Sequence, residues 1–171
     1  MTSRLSASRN RSLSRYVTAL EKAIKLLAAR ARTEHELDAA LIRAGYSETD
    51  RHAALARLRE LRYLDDRETA RQRARSRVGL GDAPRLAARK LEAQGVGKAM
   101  AREAAAEAAE GLDEGQLLKR ALQRKLRGRK PPRTDREKQR LLRSLIAKGH
   151  RPGAAAKALG VEWDGDDELE E

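Results

Sequence analysis

The chain has 171 residues, with 38 Lys and Arg against 26 Asp and Glu, and no cysteine. Disulfides and thiolate metal sites are therefore excluded, and a cytoplasmic location fits. No apolar run approaches the roughly 20 residues of a membrane span, so no membrane partner is expected.

The chain opens on "MTSRLSASRNRSLSR", which lacks the apolar stretch of a secretory signal. Its Ser/Arg content resembles a transit peptide, but residues 1–15 are read as a disordered basic arm. Phe is absent and there are only three Tyr and one Trp, so the core must be Leu, Ile, Val and Ala.

Next comes "YVTALEKAIKLLAARA", a helix expected to bury Val17, Leu20, Ile24, Leu27 and Ala31. Thr33–Glu36, "TEHE", then makes a capping box, in which a hydroxyl accepts from the N3 amide and a Glu reaches back. The helix it opens carries Leu37, Ala40, Leu41 and Ala44 and ends in "LIRAG" at Gly45, a residue suited to the left-handed position past a helix end. A third helix opens at Ser47 and carries Ala54, Leu55, Leu58 and Leu61.

The same order of signals recurs twice. "DDRE" at 65–68 is a helix opening, with Asp65 capping, and the helix buries Ala70, Ala74 and Val78 before a "VGLG" break. Asp82 then caps and Pro84 starts a helix ending in "LEAQG" at Gly95, followed by "KAMAREAAAEAAE". The last trio is "EGQLLKRALQRKLR", a break at "GRKPPR", a second capping box at Thr134–Glu137 leading to "LIAKG" at Gly149, and a short "PGAAAKALG". Gly45, Gly95 and Gly149 lie 50 and 54 residues apart. No alternation of period two is found, so no strand is expected.

Three-helix units of about 50 residues bury too little alone, so tandem units should stack. The expected fold is all-α, with three tandem three-helix repeats at 16–64, 65–111 and 112–161 forming an elongated body whose curvature is left open. An acidic tail, 162–171, holds seven acids, leaving 38 basic against 19 acidic residues in the rest. That imbalance favours a polyanionic partner.

Searches for chemistry return little. His35, His52 and His150 have no ligand partner at metal spacing, and neither a catalytic triad order nor a phosphate loop can be drawn. No catalytic residue, metal or cofactor is assigned. The basic clusters carry more. "RQRARSR" places Arg71, Arg73, Arg75 and Arg77 on a helix, Arg73 and Arg77 on one side and Arg71 and Arg75 on a neighbouring one. The segment 119–133 holds Lys119, Arg120, Arg124, Lys125, Arg127, Arg129, Lys130 and Arg133 with no acid among them. A passive solvated helix interleaves Glu with Lys, so these are the candidate contact residues. With few aromatics to stack bases, a nucleic acid would be held by its phosphates.

"LLAARARTEHELDAALIRAGYSE", "LRELRYLDDRETARQRARSRVGLGDAPRLAARKLEAQGV" and the third "LIAKGH" resemble the RecX family, bacterial regulators of the RecA recombinase, over roughly residues 16–163. The "YLDD" step, the basic helix, the "GLG" break and the "LxxxGV" end are the most specific part. Thr69 and His150 depart from the family pattern, each standing where an aromatic is usual. The resemblance implies tandem three-helix repeats and a non-enzymatic inhibitor. Such a protein acts as a monomer in the groove of the RecA–DNA filament, limiting ATP hydrolysis, strand exchange and extension, and so damping recombination and the SOS response. Its partners would be RecA and single-stranded DNA, with double-stranded DNA also open. Charge alone leaves a general DNA-binding helical module acting without RecA, and a structural scaffold, as alternatives.

Overall fold

The structure, a computed structural model, describes residues 3–163, with side chains from residue 14 onward. Most of the acidic tail, 164–171, lies outside the described residues. The described chain is all-α, with nine helices: α1 (Ser3–Ala29), α2 (Glu34–Arg43), α3 (Glu48–Glu60), α4 (Asp66–Gly79), α5 (Pro84–Glu92), α6 (Lys98–Ala108), α7 (Glu114–Leu126), α8 (Asp135–Ile146) and α9 (Pro152–Leu159). The backbone of residues 3–15, expected as a disordered arm, belongs to α1. The absence of Gly and Pro there leaves nothing to interrupt the helix.

The residues up to Thr69, together with Ala93–Val96, form one compact unit; Ala70–Glu92 and the chain from Gly97 onward form another. In the first, Leu37 and Leu41 of α2 meet Leu55 and Leu58 of α3, Ala23 of α1 and Leu64. The α1 face differs from the expected one. Val17 and Ile24 are exposed, Ala31 too, and Ala19 and Ala23 are fully buried. Small residues at the contact let neighbouring helices approach, and the larger side chains Leu20, Leu26 and Leu27 then pack beside them. Leu61, expected in the core, is also exposed.

In the second unit, α4 buries Ala70, Ala74 and Val78 as expected. Ala87, Ala88 and Leu91 of α5 and Ala101, Ala104 and Ala105 of α6 are buried where these two helices pack. Leu118 and Ala121 of α7, Leu142 and Leu145 of α8, and Ala155 and Ala156 of α9 make a further cluster. Thr69 and His150 are both buried. They fill with polar groups the places where an aromatic was expected.

Local signals set the helix ends. Thr33 and Thr134 each accept from the N3 amide while Glu36 and Glu137 reach back. Asp65 accepts from the Glu68 amide at 2.9 Å, the cap expected for α4. Asp66 goes elsewhere, accepting from the Glu34 amide at the start of α2 (2.9 Å), where a negative charge suits the helix dipole. Asp82, expected to cap α5, instead takes Lys90 (2.7 Å) and Lys148 (2.9 Å). Burial alone would raise its carboxyl pKa, but the hydrogen bonds and charges of those two lysines hold it below the ordinary carboxylate value. Gly45, Gly95 and Gly149 have φ of 81°, 83° and 83°, the left-handed conformation expected of them.

Candidate nucleic-acid interface

Within the second unit the two basic clusters meet. α7 buries Leu118 and Ala121, so Arg120, Arg124 and Arg127, spaced four and three residues apart, fall together on another face. α4 buries Ala70, Ala74 and Val78, which turns Arg75 outward. The four guanidinium groups and Gln123 line an open recess of about 420 Å³, with Val78, Gly79 and Ala108 supplying its less polar part. No acidic residue is among the lining residues. Glu107, next to Ala108, is paired with Arg71 at 2.9 Å.

The remaining candidates are placed differently. Arg71 is held by Glu107, and Arg77 lies 4.0 Å from Asp82. Arg73 is half-buried on α4. Lys119, Lys125, Arg129, Lys130 and Arg133 are exposed and outside the recess lining. Arg129, Lys130 and Arg133 belong to the non-helical link between α7 and α8, where Gly128 takes a φ of 74°.

A cluster of guanidinium groups stays charged at any physiological pH and offers paired donors that match phosphate oxygens. Such groups suit an anion and are poorly suited to shuttling protons. The exposed cations on α7 and the following link extend the same sign of charge beyond the recess, which suits a chain of phosphates better than a single small anion. Among the described residues no group of His, Asp and Glu could hold a metal ion. No helix among them is long and apolar enough to cross a membrane.

The i, i+4, i+7 spacing of Arg120, Arg124 and Arg127 was readable in the sequence. Their meeting with Arg75 was not, because it depends on how α4 and α7 pack.

Short capped helices throughout the described residues define an all-α helical protein. The model of the RecX first three-helix domain matches residues 19–58. Regulatory protein RecX of Mycolicibacterium smegmatis is 32% identical over 143 residues, which cover 81% of this chain and 76% of that protein. Regulatory protein RecX of Chlorobaculum tepidum is 33% identical over 132 residues, 77% of this chain and 80% of that protein. The crystal structure of RecX from Lactobacillus salivarius shares the fold, with a TM-score of 0.68, 17% identity, and coverage of 86% of this chain and 96% of that one. The chain belongs to the RecX family. These relatives are named as regulatory proteins, not as enzymes, which agrees with the sequence reading.

Proposed function

We propose that this chain is a non-enzymatic inhibitor of the RecA recombinase that binds the RecA–DNA filament groove. There it limits ATP hydrolysis, strand exchange and extension, and so moderates DNA repair and the SOS response. Membership of the RecX family supports the partner. The observation that carries the mode of binding is the recess in which Arg75 meets Arg120, Arg124 and Arg127 with no acid in the lining. In this reading the recess takes backbone phosphates, and the exposed Lys119, Lys125, Arg129, Lys130 and Arg133 follow the strand outward. The repeat boundaries read at 64/65 and 111/112 are part of the proposal, each repeat acting as one weak module whose contacts add through effective concentration.

The test is RecA ATPase on single-stranded DNA with the parent chain and with Arg75→Glu/Arg120→Glu/Arg124→Glu. All three side chains are solvent-exposed, so the variant should keep its helicity. Inhibition by the parent and its loss in the variant are expected. An unchanged ATPase with the parent would reject the RecA reading, and full inhibition by the variant would reject the recess as the contact. The recess also favours a second reading, phosphate binding without RecA, which predicts an affinity for bare DNA that recombinase does not alter.

A further inference from the structure

The turn between α4 and α5 ties the end of α4 to the joint between α8 and α9. The Lys148 ammonium donates to the Leu80 carbonyl at 2.6 Å and to the Asp82 carboxylate at 2.9 Å. His150 Nε2 lies 3.0 Å from the Gly81 carbonyl, and the Ala83 amide donates to the Lys148 carbonyl at 2.8 Å. Asp82 is buried, and Lys90 holds its other oxygen at 2.7 Å. Every group in this clasp belongs to the second unit. α7 is anchored on the same two helices by another route. Its Leu118 and Ala121 share a buried cluster with Leu142 and Leu145 of α8 and with Ala155 and Ala156 of α9.

The turn itself rests on α7. Gly81 is buried with a φ of 85°, and a Cβ there would sit 3.0 Å from the Cα of Ala121 and 3.1 Å from its Cβ. A residue without a side chain lets the two backbones come this close. The contact stands at the edge of the arginine recess. Gly79, two residues before Gly81, is in the lining, and Arg75 stands one turn before Gly79. Arg120 is the neighbour of Ala121, and Arg124 stands one turn beyond Arg120. Asp82, Lys90, Lys148 and His150 are all outside the lining.

We propose, resting on the phosphate reading of the recess, that Gly81 and Asp82 are positioning residues for polyanion binding. They hold the end of α4 at the separation from α7 at which Arg75 and the α7 arginines share one run of phosphates. Phosphates along a strand are regularly spaced, so rigid guanidinium groups share them only at a matching separation. Asp82 gives the sharper test, because charge and positioning predict opposite signs. Asp82→Asn makes the chain more positive. Were Asp82 a bystander in the field of the protein, its neutralisation would tighten polyanion binding. As the centre of the clasp, its neutralisation frees Lys90 and Lys148 and weakens binding.

The test uses the full chain, with a fluorescent oligothymidylate as the phosphate chain. Gly81→Ala and Asp82→Asn, each shown by circular dichroism to be folded, are expected to bind several-fold more weakly. The slope of log affinity against log salt should shrink by about 0.7, the share of one phosphate contact. Gly111→Ala forces a left-handed residue in the same unit (φ 73°) with nothing within 4 Å of the new Cβ, and should bind like the parent. Parent-like binding by Gly81→Ala, an equal loss in Gly111→Ala, or tighter binding by Asp82→Asn would overturn the proposal. A second measurement needs no ligand. The chain has no cysteine, so nitroxides on Ser76→Cys and Gln123→Cys report the distance across the recess. Gly81→Ala should lengthen or broaden that distance and Gly111→Ala should leave it alone; an unchanged distance in Gly81→Ala would overturn the proposal. A parent that binds no oligothymidylate would count against the phosphate reading, and the nitroxide distance would then decide the positioning role alone.

Discussion

His150 follows Gly149 as Tyr46 follows Gly45, but the two side chains are held differently. The Tyr46 hydroxyl donates to the Thr18 carbonyl at 3.1 Å. His150 is buried, with its Nε2 3.0 Å from the Gly81 carbonyl, a geometry in which the ring nitrogen is the donor. Burial pushes the His150 pKa below the ordinary histidine value; the bond to Gly81 opposes this, nearby Lys148 reinforces it, and Glu114 and Asp82 oppose it weakly. The unfolded chain therefore takes up a proton at a higher pH than the folded one. Stability is fully present above the unfolded value of about 6.5 and is lost as the pH falls from there toward the lower folded value. The thermal midpoint should drop on acidification from about pH 7.5 to pH 5, and His150→Phe should flatten that drop. An identical slope in the variant would contradict the account. Asp82 acts in the same direction but lower, since its carboxylate is favoured by Lys90 and Lys148 and stability is lost only as it protonates. A second comparison is steric. Gly45→Ala and Gly149→Ala both force a left-handed residue, at about 1–2 kcal/mol. Gly149→Ala also drives a methyl against Leu86, so denaturant unfolding should show the larger loss there. These glycines were legible in the sequence because a helix end is a local event. The task of Asp66 was not, because its partner, the Glu34 amide, lies in another helix.

At the scale of the element, capping shows what a local signal leaves out. "TEHE" and "TDRE" read alike, and both boxes are present. Only Thr33 also holds the Gln94 carbonyl. Replacing either threonine by alanine should cost about 1 kcal/mol for the lost cap. Thr33→Ala should cost a further ~1 kcal/mol for the second bond and the carbonyl it leaves. Equal losses in urea unfolding would mean that the bond to Gln94 contributes nothing. The buried stripe of α4 was readable from its period, because Ala70, Ala74 and Val78 share one side. The buried face of α1 differs from the expected one because this helix carries apolar residues all round. Bulk pointed to Val17 and Ile24, whereas close approach selected Ala19 and Ala23. The basic segments divide in the same way. Their residues and helical spacing were plain, but Arg71 and Arg77 have acids beside them while Arg75 lines the recess. Those acids, Glu107 and Asp82, stand 36 and five residues further along the chain.

At the scale of the whole molecule, the proposed contact is between the arginine recess and backbone phosphates. If the recess takes phosphates, binding must weaken with salt. Removing three arginines from a single-strand contact should lower the slope of log affinity against log salt by about two. The all-α fold and the family were legible in the sequence, since both rest on periodicity, caps and quoted motifs. The site was legible only as two lists of cations, because the recess arises from packing. The most direct measurement is the affinity of the parent chain and of Arg75→Glu/Arg120→Glu/Arg124→Glu for preformed RecA filaments on single-stranded DNA, beside bare DNA at the same ionic strength. The account predicts tighter binding of the parent to the filament than to bare DNA, and loss of filament binding in the folded variant. Equal affinity of the parent for both, or undiminished binding by the variant, would contradict it.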